Sequence, residues 1–166
     1  MTHDTATRTD AEKRLWKAIE HHNTGMLGLV CGAETSHFQP MTAFGEPQDG
    51  KLWFFTRADS DLVHEMGATA QTMFVYQQKD LQACIGGTLV VDNDRARIDK
   101  YWNPVVAAWY PQGREDPQLV LLRLDAVDAQ VWITDAGPVK FAWEIAKANA
   151  TKSEPDLGRQ ADLSFH

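Results

Sequence analysis

Thr56, Arg57 and Ser60 are residues whose types and spacing suit anion chemistry. They lie in KLWFFTRADSDLVHEM, residues 51–66. Leu52, Trp53, Phe54 and Phe55 read as a strand, because aromatic and apolar side chains fit a pleated, buried surface. Arg57-Ala58-Asp59 reads as a turn. Ser60 then stands at a helix N-cap, ahead of Leu62, Val63 and Met66 at helical spacing. Such a junction leaves backbone N–H groups free, and the helix dipole favours an anion there. Two hydroxyls and a guanidinium make it a candidate phosphate seat. The same residues also read as a serine capping a surface helix, and the pattern alone leaves both readings open.

Elsewhere the chain offers no set of nucleophile, base and orienting group. Ser36-His37 and His64-Glu65 are adjacent pairs whose side chains diverge. His21 and His22 point about 100° apart on a helix, which suits a helix C-terminus better than a metal site. Gly86-Gly87 belongs to no GxGxxG or Walker pattern. Catalysis, if present, therefore belongs to a cofactor that the protein binds and orients.

Composition narrows the classes. With 166 residues, 43% hydrophobic, the chain suits one globular domain, 1–166, with loose tails at 1–8 and 152–166. A net charge of −7 argues against nucleic acid, and any phosphate must rely on local donors. Six tryptophans suggest an aromatic core together with a stacking site. Cys31 and Cys84 each sit in an apolar run and are expected as buried thiols of a cytoplasmic protein, a disulfide being the less favoured alternative. They build no metal site alone. The opening MTHDTATRTD lacks a signal-peptide order, and no apolar run approaches the roughly 20 residues that span a bilayer.

The elements that must position the candidate residues follow from periodicity. Thr9 with Glu12 predicts a capped helix to about His22, with Ala11, Leu15, Ala18 and Ile19 inward. Residues 25–33 read as a strand buried on both faces. His37 to Phe44 alternates, with Pro40 marking an edge or bulge. The turn 46–50 closes a hairpin onto the 51–57 strand. Residues 71–78 and 81–92 pair across Lys79-Asp80, bent at Gly86-Gly87. Asp94 caps a helix to Trp102, and a further helical turn carries Ala107, Ala108 and Trp109. A long strand spans 118–133 with a bulge near Asp125-Ala126. Pro138 opens a helix expected to bury Phe141, Ala142, Ile145 and Ala146. Strands separated by turns, with few long helices, predict an antiparallel barrel.

Pro40-Met41-Thr42-Ala43, the stretch 51–66 and the strand ending Val75-Tyr76-Gln77 together resemble the general stress protein family of pyridoxamine 5'-phosphate oxidase-like proteins. More specific is the run Tyr101-Trp102-Asn103-Pro104, Ala108-Trp109-Tyr110-Pro111-Gln112-Gly113 and DPQLVLLRLD at 116–125. The resemblance covers about residues 10–135. It implies a mainly β chain with short helices (α+β), a six-stranded antiparallel split β-barrel of the FMN-binding type. It also implies a homodimer with a flavin, FMN or FAD, between the subunits. Gln39, Met41, Thr42, Trp53, Phe54 and Phe55 would line the ring and its strand. Thr56, Arg57 and Ser60 would hold the phosphate, and Trp102 and Trp109 would form a lid from the other subunit. Members carry basic residues where this chain has Gln39, Asp61 and Leu62, which implies a phosphate seat of low charge. Three functions follow: a flavin-dependent oxidoreductase on a small molecule, a flavin-binding or carrier protein with no turnover of its own, or a cofactor-free or weakly binding dimer with a carrier or interaction role. The ending DLGRQADLSFH lacks the basic, Arg-rich substrate segment of true pyridoxamine phosphate oxidase.

Overall fold

The chain folds around one curled antiparallel sheet. A computed structural model of the protein describes residues 2–30 and 37–165. Helix α1 (Thr2–His21) leads into β1 (Thr24–Leu29), β2 (Gln39–Thr42) and β3 (Phe44–Glu46). A 3-10 turn at Pro47–Asp49 reverses the chain into β4 (Lys51–Arg57), followed by α2 (Asp61–Met66), β5 (Thr69–Gln77) and β6 (Leu81–Val91). Then come α3 (Arg95–Tyr101), α4 (Pro104–Ala107), β7 (Leu119–Ile133), α5 (Pro138–Thr151) and β8 (Arg159–Ser164).

The strand order is β2-β1-β5-β6-β7-β4-β3, with β8 beside β7. The two outer strands, β2 and β3, are consecutive in the chain. One edge of the sheet thus passes into the other through Ala43, whose N–H donates to Asn23 O at 2.7 Å. A sheet whose two edges share one segment has to curl, yet β2 and β3 pair with β1 and β4 and not with each other. The result is a barrel left open along one seam. The expected strand at His37 to Phe44 is correspondingly broken at Ala43.

Strand β7 organises the opposite wall. Leu119–Asp125 pairs with β4, and Asp128–Ile133 pairs with β8 on the same edge. The β6 register shifts between Gly86 and Gly87, leaving Val127 as the extra residue of a bulge. A Cβ on Gly87 would lie 2.2 Å from Asp125 O, so no larger residue fits at this close approach. The interior is filled by Leu27, Phe54, Phe74, Tyr76, Ile85 and Leu122, all 0% exposed. Helix α1 adds Ala11, Leu15 and Ile19 to the same core. Full burial of a Leu or Ile contributes about 1.5–3 kcal/mol, so these anchors outweigh the surface ion pairs of the helix.

Several expectations are corrected. The sheet has eight strands among the described residues, not six. Residues 159–164, expected to be loose, form β8: Ala161 and Leu163 are buried and the intervening residues are not, a half-buried alternation too short to stand out in a polar tail. The first helix begins at Thr2 rather than Thr9, since no Gly or Pro interrupts the preceding residues. Phe141, Ala142, Ile145 and Ala146 are exposed on α5 rather than buried. Periodicity identifies an apolar face but not what covers it. Cys84 is a free, half-buried thiol, and Cys31 lies outside the described residues, as do 31–33 of the expected 25–33 strand. No helix among the described residues is long and apolar enough to cross a membrane.

Glu46 fastens the short edge strand β3 to helix α3. Its carboxylate is 8% exposed and accepts from Arg97 and Lys100, each at 2.6 Å, and from the Tyr101 hydroxyl. Burial pushes its pKa up, but hydrogen bonds from Lys100 and Tyr101 and the Arg97 charge more than offset this and hold it below the ordinary value. A lowered carboxylate pKa contributes stability above the unfolded-state value, about 4.3, and loses it as pH falls through the folded-state value. Glu46→Gln should therefore cost about 1–3 kcal/mol at pH 7 in denaturant unfolding, a gap that closes in acid below about pH 4.

Candidate functional site

Alternation along β4 builds the site. Leu52 and Phe54 point into the barrel, whereas Trp53 and Phe55 face outward. That outer face carries a second apolar cluster, with Trp53, Ile98, Val106, Tyr110 and Leu121 buried under α3 and α4. Helix α4 is set by Asn103-Pro104. Asn103 Oδ1 accepts from Val105 N at 2.9 Å and Val106 N at 3.0 Å, and Pro104 occupies the first turn, where no donor is required. Asp116 ties the following loop by accepting from Gln112 N and Gln118 N. Tyr110 Oη donates to Thr56 O at 2.6 Å, and burial pushes its pKa up to about 12, so the phenol keeps its proton at neutral pH.

Between the open seam and this helical cover lies a cleft of about 970 Å³. Pro40, Met41, Thr42 and Phe44 of the seam form one wall, and Phe55 and Thr56 the floor. Asn103, Val105, Trp109 and Tyr110 form the other wall. The floor is stiffened by aromatic contacts, Phe44 against Phe55 at 5.8 Å and Phe55 against Tyr110 at 6.4 Å. Asn23, Thr24, Arg57, Asp59 and Ser60 complete the polar end. The volume is that of a small-molecule site, mostly apolar with a few converging polar groups.

Arg57 and Asp59 are the charged groups lining it. Arg57 Nε and Nη2 each donate to the Asp59 carboxylate at 3.0 Å. This hydrogen bond and the opposite charge raise the pKa of Arg57 and lower that of Asp59. The cleft lining is thus electrically neutral. Ser60 caps α2 by accepting from Val63 N at 3.3 Å, and it also accepts from Thr56 Oγ1 at 3.4 Å. Both bonds use its lone pairs and leave its O–H to donate.

Of the residues expected to bind a cofactor, Met41, Thr42, Phe55, Thr56, Arg57, Ser60 and Trp109 come together here. Phe54 is in the barrel core. Trp53 is buried in the outer cluster, with the Arg97 and Arg123 guanidiniums over its ring at 5.4 and 5.8 Å. Gln39 pairs with Leu27 in β2 and lies outside the lining. Trp102 packs edge-on against Phe55 at 6.2 Å, also outside it. Leu62, which the resemblance set at a basic phosphate position, is 4% exposed in the barrel core, and Asp61 is exposed and outside the lining. Sequence reasoning missed Asp59, Asn103 and Tyr110. The Asn-Pro dipeptide before an apolar turn is a helix-start signal that marks Asn103.

A seam-split antiparallel barrel with an aromatic cleft in the seam defines the class of fold. Residues 10–156 match the family described as "Pyridoxamine 5'-phosphate oxidase like". A general stress protein 26 candidate from Jannaschia sp. CCS1 is 32% identical over 95% of this chain and 99% of its own, with a TM-score of 0.78. The general stress FMN/FAD binding protein of Xanthomonas citri is 41% identical over 78% of this chain and 92% of its own, with a TM-score of 0.70. A pyridoxamine 5'-phosphate oxidase-related FMN binding protein from Nostoc punctiforme shares the fold at 12% identity, with a TM-score of 0.52 over 98% of this chain and 94% of its own. Among curated proteins none matches. The chain belongs to the pyridoxamine 5'-phosphate oxidase-like family, among its general stress proteins.

Tyr110→Phe removes the bond to Thr56 O while keeping the ring. It should lower stability by about 1 kcal/mol and loosen the Thr56 end of the cleft, read as faster hydrogen exchange in residues 56–60.

Proposed function

We propose that this protein binds a flavin, FMN, in the seam cleft and works as a homodimeric oxidoreductase on a small molecule. The observation that carries the reading is the cleft itself, a cavity lined by aromatic side chains with hydroxyls and one guanidinium at one end. The resident groups fit a flavin in two parts. Phe44, Phe55, Met41 and Trp109 suit a large flat ring, and Thr42 sits on an edge strand whose outer backbone groups are unpaired in the sheet. Thr56, Ser60 and Arg57 suit the phosphate, with Ser60 donating its O–H. A bound flavin supplies hydride and electron transfer, and the protein supplies orientation and exclusion of water.

Neutrality is the particular feature of this seat. Asp59 occupies the guanidinium fork that a phosphate would otherwise take, so FMN must exchange with it. An exposed pair of this kind is weak, which makes the exchange feasible but lowers the gain from the phosphate. Asp59→Asn should release Arg57 and tighten FMN about ten-fold, leaving riboflavin, which has no phosphate, nearly unchanged. Arg57→Ala should weaken FMN about ten-fold or more with the same indifference of riboflavin. Equal shifts for the two ligands would place the phosphate elsewhere.

An absorbance titration of the purified protein with FMN, followed by NAD(P)H, tests the whole reading. The expected result is a yellow complex that bleaches with the nicotinamide. A folded protein that takes up neither FMN nor riboflavin would favour another reading, a cofactor-free dimer in a carrier or interaction role, to which the neutral lining also lends support.

A further inference from the structure

A second groove, of about 950 Å³, shares no lining residue with the seam cleft. Helix α1 lines it with Lys13, Trp16 and Lys17, α3 with Lys100, and β3 with Gly45 and Glu46. Neighbours on a strand point to opposite faces. A Cβ on Gly45 would meet the Trp16 ring of α1 at 3.5 Å, whereas Glu46 reaches Lys100 of α3. Both nevertheless line one groove, so the groove runs past the edge of β3. That edge is free, because β3 ends the sheet and pairs with β4 alone. The unpaired N–H and C=O groups of an end strand are what an added extended chain bonds to.

The charges of the groove also ask for a partner. Arg97, Lys100 and Tyr101 all donate to Oε1 of Glu46. Oε2 has no donor among the described residues, yet it is open to solvent. A carboxylate only 8% exposed, with one bare oxygen, keeps a place for a donor. On the α1 side, Lys13 and Lys17 stand four residues apart, and neither forms an ion pair among the described residues. Like charges at that spacing weaken a helix rather than support it. Lys13, Lys17 and Lys100 are balanced by Glu12, Glu20 and Glu46, so the lining favours no simple ion of either sign. It suits a ligand that carries both charges.

We propose that this groove binds a short peptide with both termini free, paired along the edge of β3 with its ammonium on Glu46 Oε2 and its carboxylate at Lys13 and Lys17. The two charges of a single amino acid are adjacent, whereas those of a peptide span from the α3 side to the α1 side. The three residues of β3 limit the paired length. Trp16 and Pro47 offer apolar contact to a ligand side chain. Binding here does not require the flavin.

The test titrates the full chain with dialanine, N-acetyl-dialanine, dialanine amide and alanine in a calorimeter. Dialanine should bind, and the other three should bind about ten-fold more weakly or worse, the value of one charge-assisted contact. Lys13→Ala with Lys17→Ala, both exposed, should bring dialanine and its amide to equal affinity while the preference for a free amine remains. Glu46→Gln should do the converse. Each comparison is between ligands on one protein, so the lower stability of that variant does not enter. If it does not fold, the N-acetyl comparison on the wild type carries the same test. Bound dialanine should also slow hydrogen exchange in residues 44–46. Equal affinity for dialanine and its N-acetyl form, or alanine bound as tightly as dialanine, overturns the proposal. So does a folded protein that takes up none of the four, or a groove protected from exchange by self-association and unresponsive to dialanine.

Discussion

The structure depends on one segment serving both edges of its sheet. Residues 39–46 pair with β1 on one side of Ala43 and with β4 on the other. This forces the curl, but it also prevents closure, because β2 and β3 are separated by Ala43 alone and the chain cannot turn back within one residue to pair them. The open seam leaves backbone groups of β2 without strand partners, the state in which an edge is normally a liability. Here the helical cover over Phe44 and Phe55 stands opposite the seam and turns the defect into a cavity. Glu46 matters for the same reason: it holds the weakest strand of the sheet against α3 with three donors.

The cleft combines an apolar body with an uncharged lining. In a protein of net charge −7, a dianion approaching the seam meets no attractive field, and Arg57 is held by its neighbour two residues on. Binding of a flavin there would rest on ring contacts, hydroxyl donors and whatever share of Arg57 its exchange with Asp59 releases. Affinity would then respond less to salt than in a site built on several free cations, since paired charges present little net field to screen.

Much of the fold was legible in the sequence where local rules are strong. The strand–turn–helix at 51–66, the Asp94 cap and the bulged long strand all follow from residue type and spacing, and all are present. What was not legible depends on tertiary placement. Leu62 and Asp61 are adjacent, and only the packed barrel reveals that the first is a core residue. Trp53, Phe54 and Phe55 look alike in sequence, yet alternation assigns them to the outer cluster, the barrel core and the cleft floor respectively. The motif residues that carried the family resemblance most specifically, Asn103, Tyr110 and Asp116, also hold the loop in shape: a cap, a phenol on a backbone carbonyl and a carboxylate bridging two amides. The apolar residues of α5 are plain in the sequence but their exposure is not, because no pattern within a helix tells what covers it.

The first helix has its last neighbours at the far end of the chain. Asp10 meets Arg159 across 149 positions, and Trp16 meets Phe165 with ring centroids 6.0 Å apart. During synthesis at about 5–20 residues per second, α1 leaves the ribosome roughly 7–30 s before β8 does. Its apolar face must be shielded for that interval by nascent sheet alone, or by a chaperone. Contacts of such sequence separation also make the search for the native arrangement slow. The protein is thus most vulnerable to misassembly while it is being made, and its final strand acts as the latch that ends that period.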